Sequence, residues 1–294
     1  MVAAKLFDDD FLQRLELLAV VARKVLGGVA KAERRARRIG QGIEFADHRD
    51  YHPGDDFRYI DWNIYGRLDR LLLRLFEEEE DLFIYLLPDL STSMGAGRPP
   101  KWDYARQVAA ALAYVGLSGL DRVSLVPFAD RVLGRLPPTR GKGQIFKIFD
   151  FLEKLPTGGP TRLLDSLRTF VHQSKRRGLA VVISDFYDPA GVEDGLNYLR
   201  YHKFETFVIQ VHDLAELEFP HQGELTLVDC ETGRELPVTV TPGLVARYRQ
   251  AHRRFSLGIN EFCTSHAIPY YLAPVQTPFD ELVLQVFRDG GFLR

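Results

Sequence analysis

The sequence predicts an α/β fold: a mostly parallel sheet with helices on both faces, one antiparallel edge strand and an N-terminal helical and irregular extension. Three observations lead there. The runs LFIYLLP, LAVVISDF and ETFVIQVHD are apolar at consecutive positions, as strands buried on both faces must be. Segments such as KWDYARQVAAALAYVGLSGL and VEDGLNYLRYHK repeat their apolar residues at three- and four-residue spacing, the period of a helix lying on a core. The two kinds alternate along the chain, and parallel neighbours joined by helices cross over right-handed.

Taken in order, Phe11 to Arg38 reads as one amphipathic helix ending in the basic tail KAERRARR, stopped by Gly40 and Gly42. GIEFADHRDYHPGDDFRYIDWNIYGRLDR has no sustained period and a Pro53-Gly54 turn, so it is expected to be irregular but ordered. LLLRLF at 71–76 is a strand, EEEED a connection and LFIYLLP the first buried strand. After the helix that follows come the strands RVSLVPFA and RVLGRLP, joined tightly at Asp130, and the helix QIFKIFDFLEKL. RLLDSLRTFVHQSKRRG is a helix, LAVVISDF a strand, VEDGLNYLRYHK a helix and ETFVIQVHD a strand. GELTLVDCETGRELPVTV reads as a hairpin insertion near 222–240, followed by a helix over 243–267, the strand PYYLA and the helix PFDELVLQVFRD. The expected organisation is a lead-in over 1–80 packed on a main domain over 81–294.

Composition narrows the partners. The 294 residues are 46% hydrophobic and 27% charged, ample for a sizeable core. Thirty-eight basic residues against 40 acidic give a formal charge of −2, so no global field draws the chain to nucleic acid, and KAERRARR is read as a solvated helical face. Two cysteines, Cys230 and Cys263, have no paired spacing; neither a disulfide framework nor a cysteine zinc site is expected, and a reducing compartment fits. The early apolar stretch is broken by Arg14, Glu16, Arg23 and Lys24, which suits neither a bilayer span nor a signal peptide, so the cytoplasm is the expected location.

Ligands of such sheets gather outside the carboxyl ends of the strands. Three segments deliver oxygens there: PDLSTSM brings Asp89, Ser91 and Ser93, TGGPT brings Thr157 and Thr161, and VVISDF ends at Ser184 and Asp185. A set of carboxylates and hydroxyls without histidine or cysteine suits a hard cation, Mg²⁺ or else Mn²⁺ or Ca²⁺.

Asp-x-Ser-x-Ser after a buried strand, then Thr161 behind glycines, then Asp185, resembles the metal-ion-dependent adhesion site of von Willebrand factor A-like domains in both order and spacing. The resemblance implies that Ser91, Ser93 and Thr161 hold the cation directly, with Asp89 and Asp185 acting mostly through water. EFADHRDYHPGDDFRYIDWNIYGR is similar to the signature of the bacterial domain-of-unknown-function family fifty-eight, whose members carry an A-type domain and are commonly encoded beside MoxR-type AAA+ ATPases. A cation held by three neutral hydroxyls keeps much of its charge and should attract an anionic sixth ligand. The leading expectation is therefore a non-enzymatic binding module, an adaptor or chaperone component, and the family resemblance alone adds the ATPase. A protein partner would complete the metal with its own Asp or Glu, and a MoxR-type ATPase would act with it. A metal-dependent phosphoester hydrolase is the alternative; it would need a positioned base, and beyond Asp89 and Asp185 only Asp188 offers a further carboxylate, with no histidine beside it. Many A-type domains have glycine after the last aspartate, and Phe186 in its place is expected to narrow access to the metal.

HRDYHPGDD tempts a catalytic reading, but the kinase-like HRD lacks the asparagine that such a loop requires, Asp55 standing there instead. Arg49, Arg58 and Arg67 alternate with Asp50, Asp55, Asp56 and Asp61, a pattern expected to hold the segment together by charge-assisted hydrogen bonds.

Overall fold

The computed structural model describes residues 6–21, 39–40, 44–77, 82–218 and 223–288. Their contacts divide them into two compact units, one of residues 6–21 and 82–288, the other of residues 39–77.

The larger unit is built on a six-stranded sheet. Its strands are β4 (Phe83–Pro88), β5 (Arg122–Leu125), β6 (Leu136–Thr139), β7 (Leu179–Ser184), β8 (Glu205–His212) and β11 (Tyr270–Pro274), in the order β11-β8-β7-β4-β5-β6. All neighbours are parallel except β5 and β6, so the expected antiparallel edge strand is present. It lies at 136–139, later than the RVLGRLP run that was expected to form it, because Pro127 to Leu133 is taken up by an irregular turn closed by Leu133 N–H donating to Pro127 O.

From β4 the chain runs outward to β5 and β6, then returns to the other side of β4 to lay down β7, β8 and β11. This is a doubly wound sheet, and its direction of winding reverses between β4 and β7. Chain order alone therefore places the crevice, and Asp89 and Asp185 are the first residues beyond the two strands that flank it.

Helices cover both faces. Alternate residues of β4 serve the two sides: Tyr85 and Leu87 pack with Leu163, Phe170, Leu196 and Phe204 from α5 (Leu163–Gln173), α6 (Glu193–Tyr201) and the turn into β8. On the other side α3 (Lys101–Ser118) is buried along most of its length, in keeping with its alanine-rich sequence. It sits so close to the sheet that a Cβ on Gly116 would lie 2.9 Å from side-chain carbons of both Ile84 and Val123. Helices α4 (Ile145–Glu153) and α8 (Phe279–Arg288) flank α3, and α7 (Pro242–Ser265) precedes β11.

A helix described over residues 9–21, α1, joins this unit through Phe11, Leu15, Leu18 and Ala19, with Phe7 just ahead of it. Phe7 stacks on Phe149 with centroids 4.5 Å apart, Phe11 meets Phe279 at 4.5 Å, and Arg14 is paired with Asp280. The rest of the helix expected through Arg38, with its basic tail, lies outside the described residues, as does most of EEEED.

In the smaller unit β3 (Leu72–Glu77) pairs antiparallel with both β1 (Ile39–Gly40) and β2 (Glu44–Asp50). The segment expected to be irregular is therefore half regular, for it also contains helix α2 (Trp62–Leu68). Its strand was hidden because β2 is polar at most positions and owes its pairing to the apolar β3, with Asp47, His48, Arg49 and Asp50 set opposite Leu75, Arg74, Leu73 and Leu72. The expected charge pairs hold the rest: Arg49 grips Asp55 through bonds of 2.9 and 2.7 Å, and Arg58 reaches Asp56 at 2.6 Å. Asp61 caps α2 by accepting from the Asn63 and Ile64 amides and also takes Arg74 at 2.8 Å. Arg70, at 2.8 Å from Asp50, and Arg74 fill the part that the sequence pattern assigned to Arg67.

Candidate functional site

The β4 tip is shaped by Asp89. Its amide donates to Ile183 O of β7 at 2.8 Å, continuing the sheet by one residue, and its Oδ1 accepts the Ser91 amide at 2.9 Å. That turn, mimicking a backbone turn with a side chain, lifts Ser91 and Ser93 onto one ledge. Their Oγ atoms are 3.1 Å apart, and both residues are buried. Ser184, the last residue of β7, donates to Asp89 Oδ2 at 2.6 Å.

The loop ahead of α5 is tied to this ledge by Gly158 N–H donating to Leu90 O at 2.7 Å and Thr92 N–H to Gly159 O at 2.8 Å. This brings in Thr161, also buried, whereas Thr157 is exposed. Asp185 completes the set from the end of β7, buried, with Oδ1 accepting the Tyr187 amide. Asp89, Ser91, Ser93, Thr161 and Asp185 thus come from the three expected loops to one edge of the sheet, at the point where its winding reverses.

Burial, and then the neighbouring Asp185 carboxylate, push the Asp89 carboxyl well above the ordinary aspartate range. Two buried carboxylates so placed favour a positive charge between them. Among the described residues no group of three or more His, Cys, Asp and Glu side chains is arranged to hold an ion, so a cation here would draw on the hydroxyls. The donor set fits a small hard ion: oxygens at about 2.0–2.1 Å from an octahedral Mg²⁺ stand about 3.0 Å apart along each edge, and Ser91 and Ser93 are separated by 3.1 Å.

Three features were not legible in the sequence. Lys101, at the first turn of α3, is wholly buried and donates to Asp185 Oδ2 at 2.9 Å while pairing with Glu216. Burial works against its charge, but the Asp185 and Glu216 carboxylates outweigh it and hold the ammonium above its ordinary value. A histidine also approaches: His252 Nε2 lies 3.1 Å from Tyr187 OH, which donates to Glu216 Oε2 at 3.1 Å. Helix α7 thus carries His252 in from far along the chain to Tyr187 and, through it, to Glu216. Thirdly, Glu231, in the turn between β9 (Gly223–Val228) and β10 (Glu235–Val240), accepts from both Thr161 Oγ1 at 2.8 Å and Thr161 N at 3.1 Å.

Two further expectations are corrected. Phe186 does not narrow the site: it takes a left-handed φ of 62°, which turns its ring into the core against the α5 and α6 side of the sheet. Asp188 is engaged structurally, accepting the Leu163 amide at 2.7 Å and the Ala190 amide at 2.9 Å, so it caps the start of α5.

The family described as Protein of unknown function DUF58 matches residues 47–256, which takes in both the charged lead-in and the whole edge just described. The chain belongs to that family. Similar proteins in mycobacteria include the uncharacterized proteins Rv1480 of Mycobacterium tuberculosis and Mb1516 of Mycobacterium bovis, each 27% identical over 86% of this chain and 82% of the relative. Among solved structures, BatB of Bacteroides thetaiotaomicron is similar over 71% of this chain and 98% of its own, at 14% identity and a TM-score of 0.46. An aerotolerance-related membrane protein of Bacteroides fragilis is similar over 72% and 98%, at 15% identity and a TM-score of 0.44. None of the described helices of this DUF58 chain is long and apolar enough to cross a membrane.

Proposed function

We propose that this DUF58 protein is a non-enzymatic protein-binding module, an adaptor or chaperone component whose binding surface centres on a Mg²⁺ or Mn²⁺ ion. Ser91, Ser93 and Thr161 would hold the ion directly, and Asp89 and Asp185 would act through water. The observation that carries the reading is the buried ledge at the winding reversal, with its two serine oxygens spaced as neighbouring ligands of a small octahedral ion.

The electrostatics favour an anionic guest. Three neutral hydroxyls leave an ion most of its charge, and Asp185 is already offset by the Lys101 ammonium. Such an ion seeks a carboxylate, and an Asp or Glu side chain on a partner protein is the natural source. The family resemblance of the 44–67 segment supports a MoxR-type AAA+ ATPase as the machine it works with. Calorimetric titration with Mg²⁺ and Mn²⁺ tests the site: saturable binding that disappears in Ser91→Ala is expected. Capture of the ATPase should be lost in EDTA and restored by either ion. Partner capture insensitive to chelator, with no ion bound in titration, refutes the reading.

A further inference from the structure

We propose that Glu231 is the ion's carboxylate ligand in the resting chain, so that the β9–β10 hairpin closes the site against a partner until it is displaced. This rests on the metal-centred reading above.

The hairpin presents that one residue firmly. Asp229 Oδ1 accepts the amides of Glu231 at 2.8 Å and Thr232 at 2.9 Å, and Gly233 N–H donates to Asp229 O at 2.9 Å, with Gly233 at a φ of 69°. These bonds fix the turn, and Glu231 is partly covered while the residues around it in the turn are exposed. Both of its carboxylate oxygens face Thr161, one of the three hydroxyl ligands, at 2.8 Å from Oγ1 and 3.1 Å from N. The 2.8 Å separation is again close to the edge of a small octahedron, about 3.0 Å, so the ion can take Thr161 and Glu231 together with little movement of either. Once the hydroxyl turns its lone pair to the ion, the carboxylate that was accepting its proton becomes the nearest anion.

The rest of the hairpin is built to come away. It is a two-stranded ribbon, exposed at nine of its twelve strand positions, with Val228 and Leu236 well out in solvent and Val240 buried at its base, and isolated two-stranded ribbons are marginal in water. Its firm attachment at the tip is the polar one to Thr161. A partner carboxylate of the same chemistry therefore competes with Glu231 for one position on the ion, and the hairpin swings clear when it loses.

The experiment loads Mn²⁺ into the full chain and into Glu231→Gln, Glu231→Asp and Ser91→Ala, measuring affinity by titration and inner-sphere water by proton relaxivity. Glu231→Gln should bind Mn²⁺ more weakly by at least about tenfold, the lower bound found when a partner that only supports a ligand is lost. Its relaxivity should rise by the contribution of one further water, and added acetate should reverse that rise while leaving the wild type unchanged. Glu231→Asp, one methylene too short, should follow Glu231→Gln; behaviour like the wild type would reduce Glu231 to a distant charge and overturn ligation. Ser91→Ala reports on the site itself. Mn²⁺ binding lost in Ser91→Ala but identical in wild type and Glu231→Gln, in both affinity and relaxivity, overturns the inference and spares the metal-centred reading. Absence of Mn²⁺ binding in the wild type overturns both. Unchanged melting of Glu231→Gln in EDTA shows that its fold is intact.

Discussion

Lys101 is the residue whose removal should separate stability from ion binding. Its ammonium is wholly buried, donates to Asp185 at 2.9 Å, pairs with Glu216 and lies 4.8 Å from the centre of the Tyr187 ring. Replacing it by methionine keeps most of the volume and removes the charge, which strands Asp185 in the interior with Asp89 as its neighbour. Removing one partner of a buried ion pair costs about 3–5 kcal/mol, because the remaining charge keeps its desolvation penalty. Each kcal/mol moves the melting temperature of a unit this large by about 2–4 °C, so Lys101→Met should melt about 6–20 °C lower in EDTA. An ion bound only by the folded state restores stability in proportion to the logarithm of its concentration over its dissociation constant. Because nothing then offsets Asp185, the variant should bind Mg²⁺ more tightly than the wild type and recover more of its melting temperature when the ion is added. Lys101→Met/Asp185→Asn, which removes the stranded charge as well, should recover much of the loss without any ion. Calorimetric melting with and without Mg²⁺ reads all three proteins. Lys101→Met melting with the wild type in EDTA, or gaining no more from Mg²⁺, would refute the charge argument.

Three further outcomes are expected. Phe186→Gly relieves a left-handed backbone worth about 1–2 kcal/mol but deletes a buried phenylalanine worth about 3–5, so the net change is a loss of about 1–4 kcal/mol in urea denaturation; a neutral or stabilised variant would mean the ring is not packed. His212, buried with neither ring nitrogen hydrogen-bonded among the described residues, is held below its ordinary value of 6.5 by burial and by His252, whose ring centre is 6.1 Å away. The fold thus prefers the neutral imidazole; that stability is full above pH 6.5 and lost as pH falls, so His212→Leu should lose less melting temperature than the wild type between pH 7 and 5, and parallel curves would count against this. Asp61→Asn should lower amide-exchange protection across α2, since an amide oxygen cannot serve Asn63, Ile64, Arg74 and His48 together, and should leave the six-stranded sheet unaffected.

Where side chains decide their own surroundings, the sequence was informative. The strands β4, β7 and β8 are apolar on both faces because helices cover them, and that state leaves short, mainly hydrophobic runs that their length and flanking turns mark as strands. The hairpin at 223–240 was legible through alternation around a turn. Strand β2 was not, because its partner β3 carries the apolar signal and β2 contributes mainly backbone hydrogen bonds. Strand β6 was displaced in the prediction since Leu136-Pro137-Pro138-Thr139 contains two prolines, residues that an edge strand tolerates and a pattern search penalises.

The candidate site divides along the same line, and the division bears on how it works. Asp89, Ser91, Ser93, Thr161 and Asp185 each lie at the tip of an element that could be placed from its own residues, so their convergence followed from strand order. Lys101, Glu216, His252 and Glu231 reach that edge only through the packing of α3, a short turn after β8, α7 and the hairpin tip, none of which leaves a local trace. The residues that could be foreseen are those that would hold an ion, and the residues that could not are those that set the charge around it. Lys101 offsets one carboxylate from within, while Glu231 brings another from outside. An ion between them feels less negative charge when the hairpin leaves, and its demand for a foreign carboxylate is then greatest. Whether such a site is open or closed is thus decided less by the five residues of the adhesion-site pattern than by a glutamate that the pattern does not contain.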